Sequence, residues 1–304
     1  MKQIKIWIEA IRLRTLPVSV SGVLIAVGLA KFNGHFRLMP SLLCVVFAVG
    51  AQIVSNLANE YFDFKAGADK KGRVGPRRGV TEGDISRAAM KRAMLGTLVA
   101  TCAVGLSMLA VVEPGEHFGN WLMLAGVGLL VAVMAFAYSA GPYPLSYHTL
   151  GEVAVMGFYG LVPVIFTYYV VGGVFHPFAV VAGIAIGFMG VNVLLVNNYR
   201  DVDDDRDAGK RTSVVVFGRN LAAFAYLLNG LLAISVLGVV WMRLYFVAGW
   251  WLMLPVGAYL ALHFSTWHQL KRNEGAALNP LLGATAGNML IFTILLSALL
   301  FYFP

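Results

Sequence analysis

Stretches of about 20 apolar residues recur along almost the whole chain, and this feature constrains the fold more than any other. A stretch of this length crosses the hydrocarbon core of a bilayer as a helix. None shows the alternation of a membrane β-strand, and in lipid only helices and closed barrels satisfy every backbone group. The predicted spans lie at about 16–34, 38–60, 89–112, 118–140, 150–171, 174–200, 220–241, 244–268 and 283–303. The sequence therefore predicts an all-α, polytopic membrane protein with nine transmembrane helices.

Composition supports this class and excludes others. Only 12% of the 304 residues are charged, about half the share of an ordinary soluble domain. The net charge of +8 would suit a nucleic-acid partner, but the positions of the charges point to membrane topology instead, so no nucleic acid is expected. Cys44 and Cys102 lie inside apolar runs without metal-ligand spacing, and we interpret them as small hydrophobic residues.

The distribution of Lys and Arg predicts the orientation. Residues 1–15 form an amphipathic pattern, typical of a helix lying at the membrane surface rather than of a signal peptide. Of the 23 Lys and Arg residues, 20 fall on the side of the N-terminus, and only Lys31, Arg37 and Arg243 fall on the other. The positive-inside rule then places the N-terminus and the loops 61–88 and 201–219 in the cytoplasm, and the C-terminus opposite. We expect a single domain, 1–304, in the cell membrane, with no obligatory protein partner.

Ten of the fifteen acidic residues lie at the end of span two, in the connection after it, and in the connection that follows span six. Each connection begins with the pattern Asn-x-x-x-Asp, whose members share one helix face. The side chains on these two faces are Asn59 and Asp63, joined after a glycine turn by Asp69, and Asn197, Asp201 and Asp205. Asp203 faces away from the second stripe. Four spans separate the two copies, so they run in the same direction and predict a parallel internal repeat.

Two facing stripes of carboxylates repel each other unless a cation lies between them. An all-oxygen ligand set without nearby His or Cys favours Mg²⁺, which keeps open positions for a phosphate or diphosphate. The same loops supply cations that can neutralise the remaining phosphate charge: Lys70, Arg73, Arg77, Arg78, Lys210 and Arg211. The alternative is that these loop charges only set the topology.

A nearly uncharged segment, Gly141 to Glu152, connects spans four and five on the same side. Pro142 and Pro144 predict a rigid turn. Glu152 is either a functional carboxylate, because an acid at the head of a span is costly to bury, or a helix N-terminal acid favoured by the dipole. His148 is either a catalytic base or an interfacial side chain.

These motifs resemble those of the UbiA superfamily of intramembrane aromatic prenyltransferases, from about residue 9 to the C-terminus. The matching stretches are Arg14-Thr-Leu-Pro17, Asn59-x-Tyr-x-Asp63 with Asp69, Gly75-Pro-x-Arg78, Gly141-Pro-x-Pro-Leu-x-Tyr147-x-x-Leu-Gly-Glu152, and Asn197-Asn-x-Arg-Asp201-x-x-x-Asp205-x-x-x-Gly209-Lys-x-Thr212. The Gly-Pro-x-Pro-Leu stretch that begins at Gly141 and the Asn-Asn-x-Arg-Asp stretch favour the branch that prenylates a naphthoate. Glu60 and Leu13 depart from the family pattern, where Asp and Pro are common; neither removes a predicted ligand.

The resemblance implies nine helices around a central cavity and transfer of a polyprenyl group from polyprenyl diphosphate to 1,4-dihydroxy-2-naphthoate, with loss of CO₂ and diphosphate. Mg²⁺ is the implied cofactor, bound by the six Asn and Asp side chains of the two stripes. The implied catalytic residues are Asp63, Asp201, Glu152 and Lys210, and the implied acceptor-binding residues are Tyr147, His148 and Glu152. Lys70, Arg73, Arg78, Lys210 and Arg211 are the implied diphosphate ligands. Phe158, Tyr159 and Tyr168 are candidates to stabilise the allylic cation, or else packing residues.

Two other readings stay open. Another acceptor, such as 4-hydroxybenzoate or a chlorin alcohol, would use the same metal motifs. A secondary transporter also has many spans, repeats and intramembrane acids, but its site lies near the bilayer midplane. Here the acids lie at the ends of the spans. A purely structural scaffold would not need ten acids at two places.

Overall fold

The computed structural model describes residues 2–112 and 118–303, and within them the chain is helical and forms no strand. The helices are α1 (Lys2–Ile11), α2 (Leu16–Phe32), α3 (Leu38–Lys65), α4 (Gly79–Glu82), α5 (Arg87–Val111), α6 (Phe118–Ala137), α7 (Gly151–Val155), α8 (Val162–Gly172), α9 (Pro177–Arg200), α10 (Val202–Asp207), α11 (Ser213–Val236), α12 (Gly238–Ala248), α13 (Met253–Arg272) and α14 (Asn279–Tyr302). In the described part of the chain nine helical segments are long and apolar enough to cross a membrane, which confirms the predicted number.

The amphipathic N-terminal segment is a separate helix, α1, as its periodicity predicts. Met1, which the predicted segment includes, lies outside the described residues. Arg12 ends the helix in the left-handed conformation (φ 58°, ψ 57°), and a short 3₁₀ turn, Leu13–Thr15, leads into α2. The chain therefore changes direction at Arg12, between the helix predicted at the membrane surface and the first long apolar helix.

Several predicted boundaries differ from the structure by four residues or more. Helix α3 continues to Lys65 instead of ending near 60, so Asp63 lies on its last turns. Helix α11 begins at Ser213 rather than near 220, because the Thr212 hydroxyl caps it by accepting a hydrogen bond from the Val215 amide. The eighth span covers 240–272 rather than 244–268, since α12 and a 3₁₀ turn precede α13. The extension of α3 is polar, whereas α11 adds an apolar turn, Val214 to Phe217, before a kink at Gly218 (φ 83°, ψ 165°).

The sixth span ends at Arg200 as predicted, but the helix does not continue unbroken through the second acidic motif. Asp201 lies at the junction (φ −93°, ψ 10°), and the short helix α10 follows. The Asp205 amide still donates to the Asp201 carbonyl at 2.7 Å, and the Asp201 amide to Asn197 at 3.0 Å. The predicted stripe is therefore kept through a bend.

The fifth span contains a π-helical turn, Met156–Leu161, between α7 and α8. Such turns interrupt regular helices mostly at functional sites. Gly160 brings this turn against α9, since a Cβ there would lie 2.5 Å from the Gly187 Cα. Phe158 and Tyr159 lie within the same turn.

Helices α2 and α9 lie at the centre of the bundle. Helix α2 packs against α14, α8 and α3, whereas α9 packs against α11 and the π-helical turn. The largest fully buried side chains include Ile25 on α2, Met189 on α9 and Phe292 on α14. Helices α3, α5 and α6 pack on one another at one side, and a cavity separates this group from the fifth span. The parallel internal repeat stays a prediction.

Candidate active site

A cavity of about 1180 Å³ lies between α2, α3, α5, α6 and the fifth span. Most of its wall is apolar, with side chains such as Phe47, Leu109 and Phe166. Its polar end contains the ends of α3 and α9, where both acidic motifs lie. Side chains of α1, including Lys5 and Glu9, form part of the rim. The cavity thus joins a charged end to a long apolar interior, both enclosed by membrane helices.

The two predicted stripes are brought together at this polar end. Asp63 and Asp201 are almost fully buried, at 1% and 2% exposure, and both line the cavity with Asn59, Asn197 and Asp205. Asp69 lies beside them, in a small adjoining pocket with Asp205 and Lys210. The turn after α3 that returns Asp69 to the site is formed by Gly67 in the left-handed region. All six predicted metal ligands therefore belong to one cluster.

Two cations connect the stripes. The Arg73 guanidinium lies 3.1 Å from an Asp69 oxygen and 2.8 Å from an Asp201 oxygen. The Lys210 ammonium lies 3.5 Å from Asp63 and 3.6 Å from Asp205. Each cation bridges one acid of the first motif to one of the second, and this pairing offsets the repulsion between them.

The loop that carries Arg73 is held over the site by further hydrogen bonds. The Val74 amide donates to Asp204, and the Asn279 side chain donates to the Val74 carbonyl. Glu60, the residue that departs from the family pattern, accepts a hydrogen bond from the Val80 amide at 3.0 Å and so anchors α4. A carboxylate at position 60 therefore positions the loop rather than lining the site.

Two arginines of the site were missed by the sequence analysis. Arg200 donates to both oxygens of Asp201 at 2.7 Å. Arg12 donates to Asn59 Oδ1, which also accepts from Arg78 Nη2 at 3.1 Å. The adjacency of Arg200 to Asp201 within the motif is a signal that would have identified it. Arg12 lies 47 residues from Asn59, and its only signal is its position where the amphipathic pattern ends.

Tyr147 belongs to the cluster, but through Asp63 and not through the cavity wall. Its hydroxyl donates to Asp63 Oδ1 at 3.0 Å, and Lys210 lies 4.8 Å from the centre of its ring. The Arg211 amide donates to the Tyr147 carbonyl at 2.8 Å. The segment from Gly141 to Glu152 and the second acidic motif therefore contact each other around Asp63.

Two predicted acceptor-binding residues are not brought to the cavity. His148 stacks on Tyr143 with ring centres 3.5 Å apart, and its Nδ1 lies 2.8 Å from the Pro144 carbonyl. Glu152 accepts hydrogen bonds from Ser213 and from Asn198. Its carboxylate thus ties the start of the fifth span to α11 and α9, which corresponds to the structural alternative for this residue.

Three further predicted residues lie away from the cavity. Lys70 is 61% exposed and lies 3.7 Å from Asp207, at the edge of the small pocket beside Asp69. The Arg211 side chain is exposed. Tyr168 is fully buried and accepts a hydrogen bond from Asn33, at the opposite end of the bundle, so it packs rather than facing an allylic cation. Phe158 and Tyr159 do line the cavity.

The electrostatics of the acids outside the membrane helices depend on burial and on the cations. Burial raises the pKa of Asp69 to about 6, against the opposing effect of Arg73. Burial likewise raises the pKa of Asp205 to about 6, with Lys210 opposing it. For Asp201 burial is outweighed by the Arg200 hydrogen bonds and the charges of Arg200 and Arg73, so its pKa is lowered. The nearby acids raise the pKa of Lys210 despite its burial, which keeps it charged.

The donor set suits a hard divalent cation in its chemistry. Every candidate ligand is a carboxylate or amide oxygen, and Asp69 Oδ2 is buried without accepting a hydrogen bond. Among the described residues no three acids lie close enough together to share one metal ion. Arg73 and Lys210 lie between the two stripes. Binding of a cation with an anionic ligand therefore requires these two side chains to turn from the carboxylates toward the anion.

Comparison with known proteins identifies a matching family and relatives that are prenyltransferases. The sequence profile described as the UbiA prenyltransferase family matches residues 19–294. The 1,4-dihydroxy-2-naphthoate octaprenyltransferase of Escherichia coli K12 is 36% identical over 70% of this chain and 68% of its own length. The enzyme of the same name from Mycobacterium tuberculosis is 32% identical over 95% of this chain and 94% of its own.

Solved structures share the fold. The apo structure of a UbiA homolog from Aeropyrum pernix superposes with a TM-score of 0.69 at 14% identity, covering 91% of this chain and 96% of that one. A UbiA homolog from Archaeoglobus fulgidus, bound to DMAPP and Mg²⁺, superposes with a TM-score of 0.60 at 15% identity, covering 94% and 98%. At these identities the likeness concerns the fold alone.

Proposed function

The chain belongs to the UbiA prenyltransferase family, and we propose that it transfers a polyprenyl group from polyprenyl diphosphate to 1,4-dihydroxy-2-naphthoate, with loss of CO₂ and diphosphate. The direct product is the reduced, quinol form of a demethylmenaquinone, because no oxidant takes part in the transfer. The identity of 36% to one enzyme named for this acceptor and of 32% to another supports the choice of acceptor. The whole chain, 1–304, acts as one membrane domain in this proposal.

The observation that carries the proposal is the junction of a charged end and an apolar interior in one cavity. A polyprenyl diphosphate has the same polarity: a strongly anionic head on a long apolar chain. The acids and cations at the ends of α3 and α9 suit the head, whereas Phe47, Leu109 and Phe166 suit the chain. A transporter site would be expected near the middle of the membrane helices.

Mg²⁺ is the cofactor of this activity, as in the homolog whose structure is described as bound to DMAPP and Mg²⁺. Asn59, Asp63, Asp69, Asn197, Asp201 and Asp205 are the side chains that would hold it. When bound, it draws charge from the diphosphate and so favours departure of that group. Arg73, Arg78 and Lys210 are the cations placed to take the remaining phosphate charge, whereas Lys70 and Arg211 lie at the margin.

The transfer replaces two bonds, the allylic C–O bond of the donor and the bond from the ring to the carboxylate, by one bond between the ring and the allylic carbon. The allylic C–O bond breaks, and its electron pair leaves with the diphosphate. The ring carbon that bears the carboxylate bonds to the allylic carbon. The bond to the carboxylate breaks as CO₂ departs, and its electron pair restores the aromatic ring. Lys210 stabilises the negative charge on the departing diphosphate, and Asp63 and Asp201 would hold the cation that shares this role. The apolar wall keeps water from the allylic cation.

The sidedness of the enzyme is part of the proposal. With the N-terminus and the loops 61–88 and 201–219 in the cytoplasm, the site opens toward the side that holds 20 of the 23 Lys and Arg residues. The C-terminus then lies on the opposite side. Labelling of single cysteines introduced at Lys71 and at Tyr302, with a membrane-impermeant reagent on intact cells and on inverted vesicles, tests this orientation.

The function is tested with the purified protein in nanodiscs, Mg²⁺, a labelled polyprenyl diphosphate and a panel of aromatic acids, with products identified by mass. We expect prenylated, decarboxylated product from 1,4-dihydroxy-2-naphthoate. Product from 4-hydroxybenzoate alone would move the enzyme to another branch of the family.

Removal of the metal is a separate prediction. Treatment with EDTA should abolish turnover, and excess Mg²⁺ or Mn²⁺ should restore it, because the carboxylates can engage the anionic head only through a cation. Full turnover in a metal-free sample would contradict the two-motif site.

A further inference from the structure

A polar patch lies deeper in the cavity, away from the acidic motifs. Gln52 and Ser55 on α3 and Tyr159 on the π-helical turn line the cavity together. Gln52 lies seven residues before Asn59, which places it about 10 Å deeper along the helix. The Tyr159 hydroxyl is in hydrogen-bond contact with the Ser55 and Gln52 side chains. The polyprenyl chain cannot form hydrogen bonds with these polar groups, since it is a hydrocarbon apart from its diphosphate.

Gln52 has a free acceptor that is held in a fixed direction. The side chain is only 6% exposed. Its amide nitrogen donates to Asn56 Oδ1 at 3.1 Å, and Asn56 in turn donates to the Ile11 carbonyl at 2.8 Å. Gln52 Oε1 has no hydrogen-bond partner. An unpaired buried oxygen inside a membrane bundle is costly, so it indicates a ligand that supplies a donor.

We propose that Gln52, with Tyr159, binds the hydroxyl of the aromatic acceptor that lies remote from its carboxylate, and thereby selects a dihydroxy acid. This inference rests on the proposed function and names the residues that hold its second substrate. A phenolic hydroxyl is a donor, as Gln52 Oε1 requires, and Tyr159 both donates and accepts. With this hydroxyl at Gln52, the carboxylate end of the ring points toward the acidic motifs, where the allylic carbon is held.

The arrangement explains why the π-helical turn occurs where it does. A regular helix through Met156–Leu161 would rotate the following side chains by a fraction of a turn and move Tyr159 relative to Gln52. The contact of Gly160 with α9 holds the turn in place from behind. A ring that enters between α3 and the fifth span therefore meets polar atoms from both walls.

The test measures the affinity of two acids that differ by one hydroxyl, 1,4-dihydroxy-2-naphthoate and 1-hydroxy-2-naphthoate. Dissociation constants are measured by calorimetry on the protein with Mg²⁺ and an unreactive thiolodiphosphate analogue of the donor, so the result does not depend on ring reactivity. We expect wild type to prefer the dihydroxy acid, and Gln52→Leu to reduce that preference about 10-fold or more, because the unpaired polar atom is removed. Tyr159→Phe should reduce it in the same direction and by less.

Controls separate this effect from general damage. Thr101→Val changes a buried polar side chain on α5 that faces Gly50 of α3 outside the cavity, and it should leave the preference unchanged. Affinity for the thiolodiphosphate analogue should stay unchanged in Gln52→Leu, and Tyr159→Phe provides the answer if Gln52→Leu does not fold. An equal preference in wild type, Gln52→Leu and Tyr159→Phe would overturn the inference. Absence of turnover of the dihydroxy acid by wild type would instead overturn the proposed function.

Discussion

At the scale of single residues, the aspartates of the second motif differ sharply in their surroundings. Asp201 is buried and accepts from Arg200 and Arg73. Asp203 is 70% exposed and pairs only at the surface, with Arg206 and Arg219. We expect Asp63→Asn and Asp201→Asn each to lower kcat/KM about 100-fold or more, because each removes a charge at the diphosphate head.

Asp203→Asn is the matched control for this prediction. It changes the same functional group within the same motif but outside the cavity, and surface ion pairs of this kind contribute little. Steady-state assays compare kcat/KM of the three variants with that of wild type. Equal sensitivity of Asp203 and Asp201 would mean that the register of the second stripe is wrong.

The raised pKa values of Asp69 and Asp205 predict an unusual pH dependence of stability. A carboxyl whose folded-state pKa is about 6, against an ordinary value near 4, binds its proton more tightly in the folded protein. Its contribution to stability is therefore full at low pH and is lost as the pH rises through 6. We expect the thermal midpoint of the metal-free protein to fall as the pH rises from about 4 to about 6, the interval between the unfolded and folded pKa values.

The Asp205→Asn variant tests the origin of this slope. It should flatten the fall in thermal midpoint, and Mg²⁺ with an unreactive diphosphate analogue should restore the midpoint of wild type above pH 6. The pKa of Asp201 is lowered, so its own contribution changes below this window. A midpoint that rises with pH in both proteins would refute the assignment.

Much of the site follows from sequence at this scale, and the limits are physical. Five of the six Asn and Asp side chains were predicted because helical periodicity fixes which side chains share a face, and Asp69 was predicted from the glycine turn before it. His148 and Glu152 do not line the cavity, because a turn of Pro and Gly leaves the direction of each side chain to contacts with distant helices. Gln52 resembles any polar residue within an apolar run until the cavity beside it is known.

At the scale of elements, the junction between α1 and α2 combines a backbone constraint with a contact to the site. Arg12 has a left-handed backbone, which costs a residue with a side chain about 1 kcal/mol relative to glycine. Its guanidinium donates to Asn59. We expect Arg12→Gly and Arg12→Ala to lose activity equally, while Arg12→Gly has the higher thermal midpoint.

Thermal midpoints and rates measured side by side separate the two roles of this residue. Since both variants lack the guanidinium, any difference between them comes from the backbone alone. An Arg12→Ala protein as stable as Arg12→Gly would show that the left-handed conformation is not kept in solution.

Element boundaries also show what hydropathy cannot detect. The number and order of spans follow from apolar length, because the bilayer imposes it. The extension of α3 to Lys65 and the early start of α11 at Ser213 depend on capping and on loop contacts outside the apolar stretch. The π-helical turn leaves no trace in an apolar count, since its residues are as apolar as those around them.

At the scale of the whole molecule, Arg37 ties together the ends of several helices opposite the active site. Its guanidinium donates to the carbonyls of Val171 and Val170 at 2.8 Å and of Val111 at 3.4 Å. These carbonyls belong to the last turns of the fifth and third spans, where no intrahelical donor is available. We expect Arg37→Gln to lower the thermal midpoint while leaving the KM of both substrates unchanged. A changed KM would show that the tie also shapes the cavity.

Arg37 and Arg243 bear on how the chain enters the membrane. Both belong to the three cations predicted on the side opposite the N-terminus, where positive charge opposes insertion. In the folded protein, Arg37 donates hydrogen bonds to backbone carbonyls. The Arg243 guanidinium lies 5.7 Å from the centre of the Phe32 ring and 5.6 Å from that of Phe178. We therefore expect neutral variants of the two arginines to insert more readily and to be degraded faster, which pulse-chase labelling of the membrane protein would measure.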